Sequence, residues 1–403
     1  MNWEIRKFGD VVEFPPKVKL DKKELYSFIP MDEVEAGRKY VGHQYLKEWK
    51  GSGGARFEEG DTLFARITPC LQNGKIAQAK GLINGKGFGS TEFFIFRGIE
   101  GTTDTDFVYY LSINSEFSEY AIGSMVGASG RQRADTKFVG EYEFNLPPLP
   151  TQRRIANILS AYDDLIENNL KRIKLLEQAA QNIYKEWFVN LRFPGHENTP
   201  INEETGLPEG WEELLMEDVM NVSGGGTPST KEPLYWEEGN VLWFSPTDLN
   251  KNNSLVLIDS TKKITKLGLK KSSAKLVPKR TILMSSRATI GLFGLFNGEC
   301  STNQGFININ PKEESLRYYI LFNLKSRVEE LIANASGATF KELSKRVFKR
   351  MSIVSPDSNI STNFYNQVEL FINQTENLEF QNQKLKAARD ILLPRLMNRT
   401  IEA

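Results

Sequence analysis

Side chains able to attack, protonate or ligate are scarce in this chain, whereas side chains able to grip phosphates and base edges are plentiful. The 403 residues include two histidines and two cysteines. His43, His196, Cys70 and Cys300 lie far apart and show no metal-ligand spacing, so no zinc or hydrolase site is expected. Asn73-Gly74-Lys75 and Gly85-Lys86 lack the upstream glycines and the Ser/Thr of a phosphate-binding loop. No glycine fingerprint follows a strand and opens a helix, as a dinucleotide or adenosyl site requires. What remains is non-covalent chemistry. Arg66 and Arg287 each follow a short apolar run and precede a Thr turn, at equivalent places of the two halves. From there a guanidinium can fork onto a guanine edge or a phosphate, or close an ion pair within its own domain. Ser129 to Lys137 brings Arg131, Gln132, Arg133 and Lys137 after small residues, and Ser336 to Arg346 brings Lys341, Lys345 and Arg346. Gln can read adenine and Arg guanine, while Lys mostly holds phosphates; a solvated loop is the plain alternative. Thr227, Ser229 and Lys231 follow a triple glycine whose amides can approach a phosphate, or which is simply a turn. Lys75 completes the candidate DNA contacts. The densest basic run, Lys262 to Arg280, contains no acidic residue and serves either as a phosphate track or as a solvated face.

These residues need a frame, and the frame is repeated. Thr151 to Trp187 reads as one long helix, with Ile155, Tyr162, Asn169, Leu176 and Ile183 at every seventh position. A second stripe runs through Ile158/Leu159, Leu165/Ile166, Ile173, Ala179/Ala180 and Trp187. Such a pattern packs one helix lengthwise against another. Thr151 is the expected N-cap, after prolines that should not continue a helix. The first stripe returns as Phe364, Phe371, Leu378, Leu385 and Leu392, each 209 residues after its counterpart. Asn169 is expected to fix helix register rather than do chemistry.

The flanking segments repeat as well. Trp211-Glu212-Glu213 restarts the pattern of Trp3-Glu4-Ile5, and Tyr318-Tyr319 repeats Tyr109-Tyr110. Met284-Ser285-Ser286-Arg287 takes the place of Leu63-Phe64-Ala65-Arg66. Short apolar runs bounded by glycines read as strands, and residues 106–120 as a helix. The whole is a tandem duplication of domain, long helix, linker, domain, long helix. A helix of roughly 37 residues spans about 55 Å. Antiparallel pairing of two such helices would set the heads at opposite ends about a pseudo-twofold axis.

Composition narrows the class. With 51 basic and 51 acidic residues the formal charge is zero, which argues against a sequence-blind nucleic-acid coat but not against local basic surfaces. No window is apolar enough to span a bilayer, and the first residues lack a signal-peptide core. Two distant cysteines fit a reducing cytoplasm without a disulfide framework.

In their order and spacing these pieces resemble the specificity subunit of a type I restriction-modification system. The matching residues are Gly206-Leu207-Pro208-Glu209-Gly210-Trp211 and Trp3-Glu4-Ile5, then Gly60-Asp61-Thr62-Leu63-Phe64-Ala65-Arg66 and Ser90-Thr91-Glu92-Phe93. Leu146-Pro147-Pro148-Leu149 before Gln152-Arg153-Arg154-Ile155, and Gly224-Gly225-Gly226-Thr227-Pro228-Ser229, complete the set. The second half departs from the pattern, with Val354-Ser355-Pro356-Asp357 at the helix entry. The resemblance implies an α+β protein of two similar mixed α/β target-recognition domains separated by two long antiparallel coiled-coil helices. Head one would span residues 1–150, the first spacer helix 151–190, a linker 191–210, head two 211–355 and the second spacer helix 356–403. It further implies that each head reads one half of a bipartite site on double-stranded DNA. The helix pair would dock two modification subunits, which carry S-adenosylmethionine, and two restriction subunits can add ATP and Mg2+. This chain itself would bind no cofactor and catalyse nothing. The alternative is a coiled-coil adaptor whose heads bind proteins without DNA readout.

Overall fold

The computed structural model describes residues 3–42, 45–128, 130–337 and 341–403. Among these, the first repeat supplies β1 (Glu4–Lys7), β2 (Val12–Glu13), β3 (Leu25–Ile29), β4 (Tyr40–Val41), β5 (Tyr45–Glu48) and β6 (Ala55–Glu58). It continues with β7 (Thr62–Ala65), β8 (Ile76–Ala79), β9 (Lys86–Gly89), β10 (Phe93–Gly98) and β11 (Glu143–Leu146). The second repeat supplies β12 (Glu212–Leu215), β13 (Met220–Gly224), β14 (Val241–Phe244), β15 (Val256–Leu257), β16 (Lys262–Ile264) and β17 (Leu276–Val277). Its remaining strands are β18 (Ile282–Ser285), β19 (Phe293–Phe296), β20 (Cys300–Thr302), β21 (Phe306–Pro311) and β22 (Ser352–Ser355).

The two heads have one strand plan. Head one forms a five-stranded sheet in the order β2-β10-β7-β8-β4, a four-stranded sheet β5-β3-β9-β6 and the pair β1-β11. Head two forms β13-β21-β18-β19-β15, β16-β14-β20-β17 and β12-β22. Every strand of head two is thus the eleventh after its counterpart, although few side chains repeat.

Alternation along the central strands explains the layering. Phe64, Phe94 and Phe96 point to one face, packing with Phe8, Phe107, Tyr110 and Phe117. Leu63, Phe93 and Ile95 point to the other, packing with Ile29, Val34 and Phe57. Successive side chains of a strand face opposite ways, so a short all-apolar run is what a sheet covered on both sides requires. In head two Ile282, Met284, Ile307 and Ile309 face the helices, while Leu283 and Phe306 face Phe244 and Val277.

By fold contacts the chain divides into Met1–Asn168 with Gln381–Ala403, and Asn169–Phe380. Both long helices therefore contribute to both units. The first runs Leu149–Tyr184 and continues as a wider turn through Val189. It starts before the expected Thr151 cap, because the Pro148 carbonyl accepts the amides of Thr151 at 2.8 Å and Gln152 at 3.0 Å. Pro150 sits in the first turn, where its missing N–H leaves nothing unsatisfied. The buried Gln152 amide donates to the carbonyls of Pro147 and Thr102, and its carbonyl accepts from Asp104 N, tying the helix start to head one. The second helix, Ser358–Met397, is capped by Asp357, whose carboxylate accepts the Asn359 amide at 2.8 Å. The atypical entry of the second repeat is therefore a sound helix start.

Within the first unit, Asp163 of the first long helix pairs with Arg389 of the second. Within the second unit, Tyr184 and Trp187 of the first meet Phe364 of the second, with ring centroids 6.4 and 6.0 Å apart. Early residues of one helix meet late residues of the other in both cases, so the pairing is antiparallel.

The seam itself is shifted from expectation. The line Leu159, Ile166, Ile173, Ala180 and Trp187 is buried throughout, whereas Tyr162, Leu176 and Ile183 are only half-buried and Ile158 and Leu165 are exposed. On the second helix, Phe364 and Leu378 are buried but Phe371, Leu385 and Leu392 are half-buried. The deeper line there is Ser361, Val368, Thr375, Asn382, Arg389 and Leu396. Four of those six are polar, which is why an apolar stripe did not reveal them.

Candidate nucleic-acid interface

The candidate contacts of each head gather at the end of its central strand. Beyond β7, Ile67 bridges Arg133, which also bridges Val126; beyond β18, Arg287 bridges Glu342, which also bridges Ser336. The recognition segments are thus stitched to the sheet as short added ladders. Ser129, residues 338–340 of the matching segment, and His43 lie outside the described residues.

Register corrects the equivalence of Arg66 and Arg287. Ala65 faces Phe93 across the sheet, and Ser285 faces Phe306 in the same way. Arg66 therefore matches Ser286, and Arg287 matches Ile67. A one-residue slip turns a side chain to the opposite face, and the two arginines do different work. The Arg66 guanidinium lies on the Phe94 ring, its Cζ 4.6 Å from the centroid. Arg66 opens onto a cleft of about 330 Å³ that Phe14, Pro16, Thr91 and Thr136 also line. Arg287 instead pairs with Glu342 at 2.8 Å, the intradomain ion pair that was the alternative reading.

Arg133 is likewise engaged, gripping Glu92 with Nη2 at 2.6 Å and Nε at 3.0 Å. Glu92 holds this exposed guanidinium above its ordinary pKa through that hydrogen bond. Gln132 exchanges hydrogen bonds with Thr68 through its backbone. The Lys75 amine donates to the Met31 carbonyl at 2.8 Å, a structural bond. Arg131, Lys137, Lys341 and Arg346 are exposed.

In head two, Thr227 donates to the side-chain oxygen of Gln304. The Ser229 hydroxyl accepts the Lys231 amide, and Lys231 is exposed. Lys345 reaches across Gly224, its Nζ 2.5 Å from where a Cβ would sit. The basic run loses Arg280, which points inward to Glu369, Tyr318 and Asn373. Lys263 pairs with Asp259 at 3.1 Å, while Lys262, Lys266, Lys270, Lys271, Lys275 and Lys279 are exposed.

The groups missed from sequence are those that fasten the heads to the helices. In the first unit, Tyr110 donates to Asp163 at 2.6 Å and the buried Lys39 amine donates to Ser160 at 2.8 Å. Burial pushes Lys39 below the ordinary lysine range, against the pull of Asp106. Arg389 is desolvated too, but Asp163 and Asp390 keep it above its usual value. In the second unit, Glu177 accepts the Leu255 amide at 2.6 Å and the Ser254 hydroxyl at 3.1 Å. No group of metal-ligating side chains occurs among the described residues, and the buried Cys300 thiol is pushed up to about 12 by desolvation.

The sequence profile of the type I restriction modification DNA specificity domain matches residues 1–178 and again 208–387. The chain belongs to this family. The two matches fall on the two repeats, so the duplication is of the family's own unit. Among relatives, the MjaIX specificity subunit of Methanocaldococcus jannaschii is 34% identical over 45% of this chain and 42% of its own length. The HindI specificity subunit of Haemophilus influenzae is 25% identical over 88% of this chain and 89% of its own. The type I S subunit from M. genitalium, at 16% identity, covers 98% of this specificity protein with a TM-score of 0.55, which extends the likeness to the fold. No helix among the described residues is long and apolar enough to cross a membrane.

Proposed function

We propose that this chain is the sequence-reading subunit of a type I restriction-modification complex, each head holding one half of an asymmetric bipartite site on duplex DNA. The observation that carries the reading is two heads of one strand plan and divergent surface, mounted on a pair of antiparallel helices, each matched by the DNA specificity profile. The candidate contacts are Arg66, Arg131, Gln132, Arg133 and Lys137 in head one. In head two they are Thr227, Ser229, Lys231, Arg287, Lys341, Lys345 and Arg346. Arg133 and Arg287 would exchange a carboxylate for DNA on binding, and Lys75 contributes by holding its loop. The helix pair sets the step between half-sites and docks two modification subunits; two restriction subunits can join. Adenine methylation, with its S-adenosylmethionine, and ATP-driven cleavage with Mg2+ belong to those partners. This chain supplies position, and the complex works in the cytoplasm. The target adenines must be flipped from the stack to be reached.

Exchanging residues 1–150 for the first head of another family member, then mapping methylated adenines in cells, tests this. One half of the target should change and the other should persist. A change in both halves overturns the division of labour.

A further inference from the structure

The two heads form an internal controlled comparison, because shared registers let a position be followed from one to the other. Lys137 and Arg346 are one such pair. Each is the second residue of the short helix after its recognition segment, Thr136–Gly140 and Lys345–Lys349, and each is exposed. A cation kept at one place while its surroundings diverge suits the part of DNA that does not vary with sequence, the phosphates.

Arg66 is the opposite case. The register places Ser286, buried and uncharged, at its position and Ile307 at that of Phe94. Head one presents an arginine fork on a phenyl ring, and head two presents the Lys345 amine across a glycine. No carboxylate among the described residues pairs with Arg66, unlike Arg133 and Arg287. Its Nε is buried without a hydrogen-bond partner. Stacking on an aromatic face fixes the plane of the guanidinium and leaves its terminal amino groups for a ligand. Two parallel N–H donors in a fixed plane match the adjacent O6 and N7 acceptors of guanine. A phosphate also offers paired acceptors, but a phosphate grip would serve both heads alike, and this one is confined to head one.

We infer that Arg66 reads a guanine edge in the half-site of head one, while Lys137 and Arg346 hold backbone phosphates in both heads. The inference rests on the DNA reading proposed above. The test uses the specificity chain assembled with its modification subunits and duplexes randomised through both halves of the site, bound and sequenced. Wild type should select a guanine at one position of one half. Arg66→Ala and Arg66→Lys should each weaken that selection by about 10- to 100-fold, the range of one bidentate base contact. Selection in the other half should be unchanged, which also shows that the chain is folded. Lys137→Ala should weaken every duplex alike and make the salt dependence shallower by about one phosphate. Arg66 variants that keep the guanine preference, or that weaken all duplexes equally, overturn the inference. A wild-type complex with no base preference in either half overturns the DNA reading beneath it instead.

Discussion

At the scale of single residues, the strongest commitments are buried charges rather than exposed ones. Asp163 and Arg389 have side chains 2% and 5% exposed, and Tyr110 donates to the same carboxylate. Removing one partner of a buried pair leaves the other uncompensated, at about 3–5 kcal/mol. Arg389→Met should lower the stability of the first unit by that order, read from the midpoint of urea unfolding, and the double variant with Asp163→Asn should recover part of it. Glu177 offers a test in pH. Burial holds its carboxyl above the ordinary range, only partly opposed by the Leu255 amide, Lys325 and Ser254. The folded state therefore takes up a proton at a higher pH than the unfolded chain does, so stability from this group rises as pH falls from neutral through the folded value, and levels off below the unfolded one. Glu177→Gln should be no less stable at neutral pH and should lack the acid-side rise, as thermal melts of both proteins between pH 7 and 5 would show. A variant with the same acid-side rise sinks the assignment.

At the scale of elements, the phase of the paired helices was half legible. Phe364, Leu378, Ile155 and the Leu159-to-Trp187 line were recoverable because apolar side chains at heptad spacing advertise burial. Ser361, Thr375, Asn382 and Arg389 were not, because their polarity hides positions that geometry makes internal. Strand existence was readable from short apolar runs. Strand register was not, since nothing in Arg66-Ile67-Thr68 and Arg287-Ala288-Thr289 betrays the one-residue offset between them. The ion pairs of the candidate contacts across tens of residues, such as Arg133 with Glu92, depend on folding and leave no local trace. The seam is checked by two truncations in the isolated chain. Phe364→Ala, which empties a site among Tyr184, Trp187, Phe188 and Phe322, should cost about 3–5 kcal/mol. Leu175→Ala, on the exposed back of the first helix, should stay within about 0.5 kcal/mol. Equal losses in the two variants would place the seam elsewhere.

For the whole molecule, repetition is the organising fact, and each unit is discontinuous in sequence. The first unit joins Met1–Asn168 to Gln381–Ala403, and Leu393 and Leu396 sit in the core beneath Ile155 and Leu159. Removing residues 381–403 should therefore expose the apolar floor of the N-terminal head, seen as faster proteolysis within residues 3–150 while the second head stays resistant. Unchanged protection of that head would refute the shared core. The same arrangement orders events during synthesis. A nascent chain emerges from the ribosome with the core of its first-made head still open, because residues 381–403 are translated long after that head. That head stays open until residues 381–403 have been made. A stop codon that removed residues 381–403 would then cripple the head that is translated first.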